Sequence, residues 1–237
     1  RLEINESGVR LGQALQKVDE DFAKGIIGGR LNGDYIDLAY ILTGDEDEIL
    51  LFTLDDDEHA RWLYRHSMSH VLAQAVKRLY PNVKLAIGPA IDEGFYYDFD
   101  VEEPFSHDDL EKISEEMKKI IKENHRFERM EVSRDEAMQI LKEMDEPYKI
   151  ELLEDLPEDE EISFYKDGEF VDLCRGPHIK YTKQVKNFKL LDVAGAYWRG
   201  NEKNKMLQSI YGPAVNKKED CAPRSPAYWP RAGALSP

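Results

Sequence analysis

His66-Ser-Met-Ser-His70-Val-Leu-Ala-Gln-Ala-Val-Lys77 is the stretch whose reading decides the fold, because it places two imidazoles one turn apart on a helix. No Gly or Pro interrupts the chain from His66 to Tyr80, and Pro81 stops it. At about 100° per residue, Met68, Val71, Leu72, Ala75, Val76 and Leu79 gather on one face, which predicts a helix packed along that stripe. His66 and His70 project from roughly the opposite face, beside Ala73 and Lys77. One helical histidine alone reads as an ordinary core or surface residue. A pair spaced i,i+4 away from the apolar stripe points instead to a chemical site.

The pair is answered about a hundred residues later by Cys174-Arg-Gly-Pro-His178. Ile162 to Tyr165 and Glu169 to Leu173 read as two short strands joined at the Asp167-Gly168 turn signal. Along the second strand, Phe170, Asp172 and Cys174 fall on one side, while Val171 and Leu173 face the other. Gly176-Pro177 then turns the chain so that His178 can swing back. His66, His70, Cys174 and His178 fit a zinc ligand set, and equally a general-base pocket oriented by the Asp172 carboxylate.

The chain has 237 residues, 41% of them hydrophobic, enough for one large domain or two modest ones. No run of some 18 apolar residues is present, so nothing spans a bilayer as a helix. No signal-peptide pattern opens the chain, and a start at Arg1 without Met points to a missing natural beginning. Cys174 and Cys221 stand in unlike contexts and make no disulfide framework, which makes a reducing cytoplasm the default. Net charge is −16, an obstacle to any nucleic-acid reading, since phosphate contacts need a basic footprint. Acidic runs at Asp45 to Glu48, Asp55 to Glu58 and Glu158 to Glu161 read as solvated loops or helix ends. The cationic clusters are small: Lys183, Lys186 and Lys189 in one, Arg199, Lys203 and Lys205 in another. Any grip on nucleic acid must therefore use a local patch or another domain.

Alternation and turn signals give an α+β chain. Residues 1–56 read as a small unit: a strand end at Leu2 and Ile4, a helix through Leu11, Ala14, Leu15 and Val18, strand–turn–strand around Gly28 to Leu38, and a strand from Ile49 to Leu54. The Gly28-Gly29 pair lacks a Lys-Ser/Thr partner, so a tight turn is expected there and not a phosphate loop. Residues 57–64 read as a linker or entering helix. A second domain covers residues 65–212: the His helix, strands at Lys84 to Ile91 and Gly94 to Phe99, and a helix capped at Ser106 with Leu110, Ile113, Met117 and Ile120 inward. A helix opened by the Ser133/Glu136 capping box, the Cys174 hairpin, and strands at Phe188 to Val193 and near Met206 to Tyr211 complete it. Irregular alternation predicts an α+β sandwich and not a doubly wound sheet. Residues 213–237, broken by five prolines and without apolar period, read as a disordered, non-native tail.

The second domain resembles the editing domain of threonyl-tRNA synthetase. Beside the His66–Lys77 stretch, the similarity lies in Ala86-Ile-Gly-Pro89, Gly94-Phe-Tyr-Tyr-Asp-Phe99, Pro147-Tyr-Lys149, Phe170-Val-Asp-Leu-Cys-Arg-Gly-Pro-His178, Phe188-Lys-Leu-Leu191, Ala194-Gly-Ala-Tyr-Trp-Arg-Gly200 and Asn204-Lys-Met-Leu207. The preceding unit looks like that family's TGS domain, a β-grasp fold. The resemblance spans about residues 1–212 and implies a parent threonine–tRNA ligase. The family's ATP-dependent aminoacylation core has no counterpart in the remaining residues, so ATP use and threonyl transfer are not expected of this chain.

The resemblance further implies hydrolysis of serine misattached to tRNA(Thr). His66 looks like the base candidate, acting on water directly or through the ribose hydroxyl. Lys149 would supply positive charge or place a second water, and Asp172 would engage the substrate ammonium or orient His178. His70, Cys174 and His178 would complete the wall, with Tyr97 and Gly88 against the substrate. No cofactor is required in the metal-free version, towards which the resemblance leans; zinc on the quartet is the alternative, and Cys174 as a covalent nucleophile ranks last beside Asp172. The implied partner is the acceptor end of tRNA(Thr), with a homodimer expected of the full-length family member through its missing core and a monomer of this chain. Two rivals stand beside this expectation. A non-catalytic module would only position the acceptor arm. A zinc-dependent alanyl-tRNA editing protein shares the H-x-x-x-H and C-x-x-x-H spacing, but lacks the upstream unit.

Overall fold

The computed structural model describes residues 3–4, 6–45, 48–53, 60–92, 94–185 and 187–215. Leu2, the acidic run at 55–58, residues 57–59 of the expected linker, Lys186, Cys221 and the tail from 216 onward lie outside them. In chain order the elements are α1 (Leu11–Val18), α2 (Glu20–Gly25), β1 (Ile26–Leu31), β2 (Asp34–Asp37), β3 (Leu50–Thr53), α3 (Ala60–Leu79), β4 (Lys84–Leu85), β5 (Ala90–Ile91), β6 (Gly94–Asp100) and α4 (His107–Glu123). There follow β7 (Phe127–Val132), α5 (Arg134–Glu143), α6 (Pro147–Asp155), β8 (Ile162–Asp167), β9 (Phe170–Leu173), β10 (Asn187–Phe188), β11 (Asp192–Tyr197), β12 (Met206–Gly212) and β13 (Ala214–Val215). The mixture of helix and antiparallel sheet is α+β, as the irregular alternation predicts.

In the first unit β2-β1-β3 form an antiparallel sheet over a core of Leu11, Ala14, Leu15, Ile26, Ile36 and Leu42. Asn32 and Gly33, with φ of 51° and 99°, make the two-residue hairpin loop that positive φ at both positions requires. Three expectations change here. Ile4 packs against this core without joining a strand. The short helix α2, capped by the Asp19 carboxylate on the Phe22 N–H, follows α1 directly. The Gly28-Gly29 pair sits inside β1, not in a turn, because a Cβ on Gly28 would meet the Ile36 carbonyl oxygen at 2.7 Å and Leu63 Cδ2 at 2.8 Å. That close approach lets β1 lie against α3.

Helix α3 begins at Ala60, so residues 60–64 of the expected linker are its first turn and a half. The larger departure is its burial. From Leu63 to Val76 every residue is buried, the two histidines included, while Leu79 of the expected apolar stripe is 38% exposed. A helix covered all round needs its polar side chains satisfied. Ser67 Oγ donates to the Leu63 carbonyl, Ser69 Oγ to those of His66 and Gly88, and Gln74 Nε2 to that of Asp167. Helix α3 shares one core with Phe95, Tyr97 and Phe99 of β6, with Ile113, Met117 and Ile120 of α4, and with Phe127, Tyr165 and Phe170 of the second sheet.

One sheet runs β11-β12-β6-β4, with β5 also on β6; the other runs β7-β8-β9, and every pairing is antiparallel. The single strand expected at 84–91 is interrupted at 86–89, although Ala86 and Ile87 still exchange backbone hydrogen bonds with Asp98. Gly88 is the cause: a Cβ there would fall 2.0 Å from Tyr97 Cδ2, so the chain is threaded over that ring. The strand expected at 188–193 also divides. Lys189 pairs with Pro213 and Leu191 with Tyr211, while Gly212 lets the chain cross Lys189, whose carbonyl oxygen would lie 1.8 Å from an added Cβ. Residues 214–215, expected to lie in the tail that starts at 213, form β13 against β10.

Helices α4 and α5 follow the sequence closely, whereas α6, opened by Pro147, is a helix that the sequence patterns do not announce. Ser106 and Asp109 close a capping box on α4, and Ser133 and Glu136 close one on α5. The β8–β9 hairpin turns at Gly168-Glu169, one residue later than the Asp167-Gly168 signal. Its alternation is as read: Phe170 joins the α3 core, whereas Val171 and Leu173 pack with Ala137, Leu141 and Leu153 under α5 and α6.

Candidate active site

The ligand atoms of His66, His70, Cys174 and His178 lie within 4.8 Å of one another. Helix α3 supplies the first two, and the segment after β9 supplies the others. The turn between Cys174 and His178 uses Gly176 at φ 76°, where a Cβ would strike the Tyr165 hydroxyl at 2.3 Å. Its Gly176–Pro177 peptide is cis.

Hydrogen bonds fix the tautomers of two rings. His66 Nδ1 lies 3.2 Å from the Pro177 carbonyl, which can only accept, so this nitrogen carries the proton and Nε2 keeps its lone pair. Ser67 Oγ gives its proton to Leu63, so His178 Nδ1, at 3.0 Å, donates to Ser67 and its Nε2 is also bare. Both bare nitrogens face Cys174 Sγ, at 3.3 and 3.4 Å, and one thiol proton cannot satisfy both. His70 Nδ1 is buried without a hydrogen-bond partner, and its Nε2 is 3.7 Å from Asp172 Oδ2.

Burial governs the charges. Desolvation, reinforced by neighbouring His70, pushes the His66 imidazole down to about 3; desolvation and then Lys149 do the same for His70. His178 is held well below the usual imidazole range by desolvation and by the other two rings. Desolvation, then the Asp172 charge, pushes the Cys174 thiol up to about 12. At neutral pH the cluster is three neutral imidazoles and a thiol.

A cavity of about 600 Å³ opens onto this cluster. His66, His70, Lys149, Asp172 and Cys174 line its polar end, and Ile87, Leu152 and Trp198 its apolar walls. Lys149 Nζ stands 2.7 Å from Asp172 Oδ1, and the Tyr97 hydroxyl donates to Asp172 Oδ2 at 2.7 Å. Trp198 is tied down through its indole N–H to Glu151 on α6, and Arg199 at the rim pairs with Asp155 at 2.6 Å.

Residues 162–211 match the family model described as the Threonyl and Alanyl tRNA synthetase second additional domain. Threonine–tRNA ligase of Acetivibrio thermocellus is 58% identical over 218 residues, covering 92% of this chain and 34% of that protein. That of Caldanaerobacter subterraneus subsp. tengcongensis is 55% identical over 214 residues, 90% of this chain and 33% of that protein. One from Clostridium botulinum is 55% identical over 216 residues, 91% of this chain and 34% of that protein. The chain is a homologue of threonine–tRNA ligases. It spans about a third of the length of these relatives.

Within this threonine–tRNA ligase homologue, six of the residues expected at the site converge: His66, His70, Lys149, Asp172, Cys174 and His178. Three of the expected placements differ. His178 does not line the cavity but sits behind Cys174, its ring stacked on Phe127 at 4.7 Å. It is oriented by Ser67, not by Asp172. Tyr97 is wholly buried and reaches Asp172 in place of the cavity. Gly88 does line the cavity, and its missing side chain makes room for the Tyr97 ring.

Two further residues of the site, Ser67 and Asp37, are not singled out by the sequence patterns. Asp37, from β2 of the first unit, accepts the backbone N–H of His178 at 3.0 Å and the Tyr165 hydroxyl at 2.6 Å. A serine inside H-S-M-S-H is a readable signal, since it must lie between the two imidazoles; the distant Asp37 leaves none. The quartet also fits a zinc ion by the chemistry of its donors: three neutral imidazoles and a thiol that a cation would deprotonate. Tetrahedral zinc separates such atoms by about 3.3–3.7 Å, a range met by the Sγ–N distances of 3.3 and 3.4 Å, while the four atoms together lie within 4.8 Å.

Proposed function

We propose that the chain hydrolyses the ester joining serine to the terminal ribose of tRNA(Thr). The observation that carries this reading is the union of a bare imidazole nitrogen, a buried lysine–aspartate pair and an open cavity in a homologue of threonine–tRNA ligases. The chemical need is specific. Serine lacks one methyl of threonine, and a binding pocket discriminates such a group by only about 1–3 kcal/mol, so a second sieve must remove the smaller amino acid.

His66 Nε2 is the lone pair available to a water, or to the ribose hydroxyl beside the ester. An imidazole held at about 3 is a weak base, so most of the acceleration comes from placement of the water and stabilisation of the developing oxyanion. Lys149 suits the oxyanion, because one of its three N–H groups meets Asp172 and two remain. Asp172, already accepting from Lys149 and Tyr97, retains acceptor capacity for the substrate ammonium. With its thiol pushed up to about 12, Cys174 acts as a wall and not as a nucleophile.

Zinc on the quartet is the second reading, favoured by the chemistry of the four donors and by the two Sγ–N distances of 3.3 and 3.4 Å. When bound, it would lower the pKa of a coordinated water to about 7. The test is deacylation of Ser-tRNA(Thr), Thr-tRNA(Thr) and Ser-tRNA(Ala) by chain dialysed against chelator, with metal content measured alongside. Hydrolysis of Ser-tRNA(Thr) by metal-free chain supports the first reading; activity that returns only with zinc supports the second. Preference for Ser-tRNA(Ala), or binding without deacylation above buffer, rejects both.

A further inference from the structure

We infer that the seam between the first unit and the second holds a phosphate group of an RNA backbone. The choice of RNA over a free anion rests on the proposed function above. A cavity of about 280 Å³ opens at the seam, with Arg10, Gln13 and Gln16 on one side and Arg126, Lys180 and Tyr181 on the other. It shares no lining residue with the larger cavity, and His178 of the His/Cys cluster lies in the wall of this one.

The three cations lack the carboxylate partners that hold many of the other lysines and arginines. Arg78 is gripped by Glu116, Glu123 and Glu169, and Lys17, Lys84, Lys112, Lys118 and Lys119 each have a carboxylate at ion-pair distance. Arg10, Arg126 and Lys180 have none among the described residues. In a chain of net charge −16 their convergence on one concave site inverts the local sign. Asp37 also lines the cavity, but its carboxylate already accepts the Ala39 N–H, the Tyr165 hydroxyl and the His178 N–H. Lys180 Nζ lies 5.5 Å from the Tyr181 ring centroid, so this ammonium rests on an aromatic face and not on a carboxylate.

Both units contribute, so a bound phosphate ties the first unit to the second next to Asp37, which holds the backbone of His178. A local cationic seam also reconciles an acidic chain with an RNA partner: the phosphate contact needs a few unpaired cations, not a basic protein.

The test is anisotropy of the whole chain with an unacylated acceptor-stem RNA duplex ending in CCA, from 50 to 200 mM KCl. Arg126→Glu/Lys180→Glu is expected to weaken binding about ten-fold or more and to lower the slope of log K against log salt by roughly 1.5, for two lost phosphate contacts. Lys118→Glu/Lys119→Glu on α4 carries the same charge change and is expected to leave the slope unaltered. Arg126→Gln/Lys180→Gln serves as the milder pair, with unfolding curves of all variants as the check on folding. Unchanged affinity and slope in the seam variants, or equal losses in the α4 control, overturn the inference. Thermal protection by inorganic phosphate that the seam variants abolish, with RNA binding untouched, overturns the assignment to RNA. No ester is present in the assay, so failure of hydrolysis and failure of this site are read separately.

Discussion

Lys149 Nζ lies 2.7 Å from Asp172 Oδ1 with both side chains about 95% buried, so the ammonium of α6 and the carboxylate of β9 form a closed pair at the polar end of the cavity. Such a pair adds little net stability over an apolar pair of the same shape, because both charges lose their hydration. Losing one partner is another matter, since it strands the other charge. Lys149→Ala is expected to lower the unfolding free energy by about 3–5 kcal/mol, read from urea midpoints. Lys149→Met/Asp172→Leu should recover much of that loss. A single-variant cost near zero would mean that the pair is open to water.

Gly88→Ala adds one methyl where Tyr97 Cδ2 would be 2.0 Å away. The ring is wholly buried and its hydroxyl is committed to Asp172, so it has nowhere to move. We expect destabilisation of about 1–3 kcal/mol from overpacking, with a parallel loss of hydrolysis as Asp172 shifts. Full activity at unchanged stability would show that the backbone at 86–89 yields easily.

Asp98 offers a pH test away from the site. Burial pushes its carboxyl up to about 6, opposed by the Ser209 hydroxyl that donates to it. Below about pH 4 the group is protonated in both folded and unfolded chains; above about 6 it is ionised in both and the folded form bears the penalty. Its contribution to stability is therefore lost as pH rises from 4 to 6, by roughly 3 kcal/mol. Asp98→Asn is expected to raise the urea midpoint at pH 7.5 and to leave it nearly unchanged at pH 4. A gain confined to pH 4 would reverse the sign.

The same logic applies to turnover. His66 is a free base above a pKa of about 3, so protonation removes it only as pH falls through that value. Between pH 5 and 8, kcat/KM corrected for spontaneous ester hydrolysis should show no inflection near 6.5. Cys174→Ala should retain hydrolysis, because a thiol pushed up to about 12 supplies almost no thiolate. An acid limb near 6.5, or inactivity of Cys174→Ala at normal stability, would contradict the assignments.

Local patterns in the sequence are enough to find most of this fold. The capping boxes at Ser106 and Ser133 and the alternation of Phe170, Asp172 and Cys174 are short-range signals, and each element stands where they put it. The quartet is legible because its two spacings imply a helix and a hairpin end. What stays hidden depends on contacts distant in sequence. The stripe on α3 suggests one exposed face, yet a second sheet covers it, and the serines and Gln74 that permit this are ordinary polar letters until their carbonyl partners are known. Asp37 reaches His178 across 141 residues, and no spacing rule announces that. Tyr97 reads as a pocket aromatic, but the empty space at Gly88 draws its ring inward.

The most direct test of the central claim is single-turnover deacylation of Ser-tRNA(Thr) by the whole chain, beside His66→Ala and Lys149→Met with folding verified. The account predicts hydrolysis above buffer by the unaltered chain, at least about ten-fold faster than for Thr-tRNA(Thr), and a loss of at least ten-fold in each variant. Equal rates for chain and buffer, or hydrolysis that survives both substitutions, would contradict it.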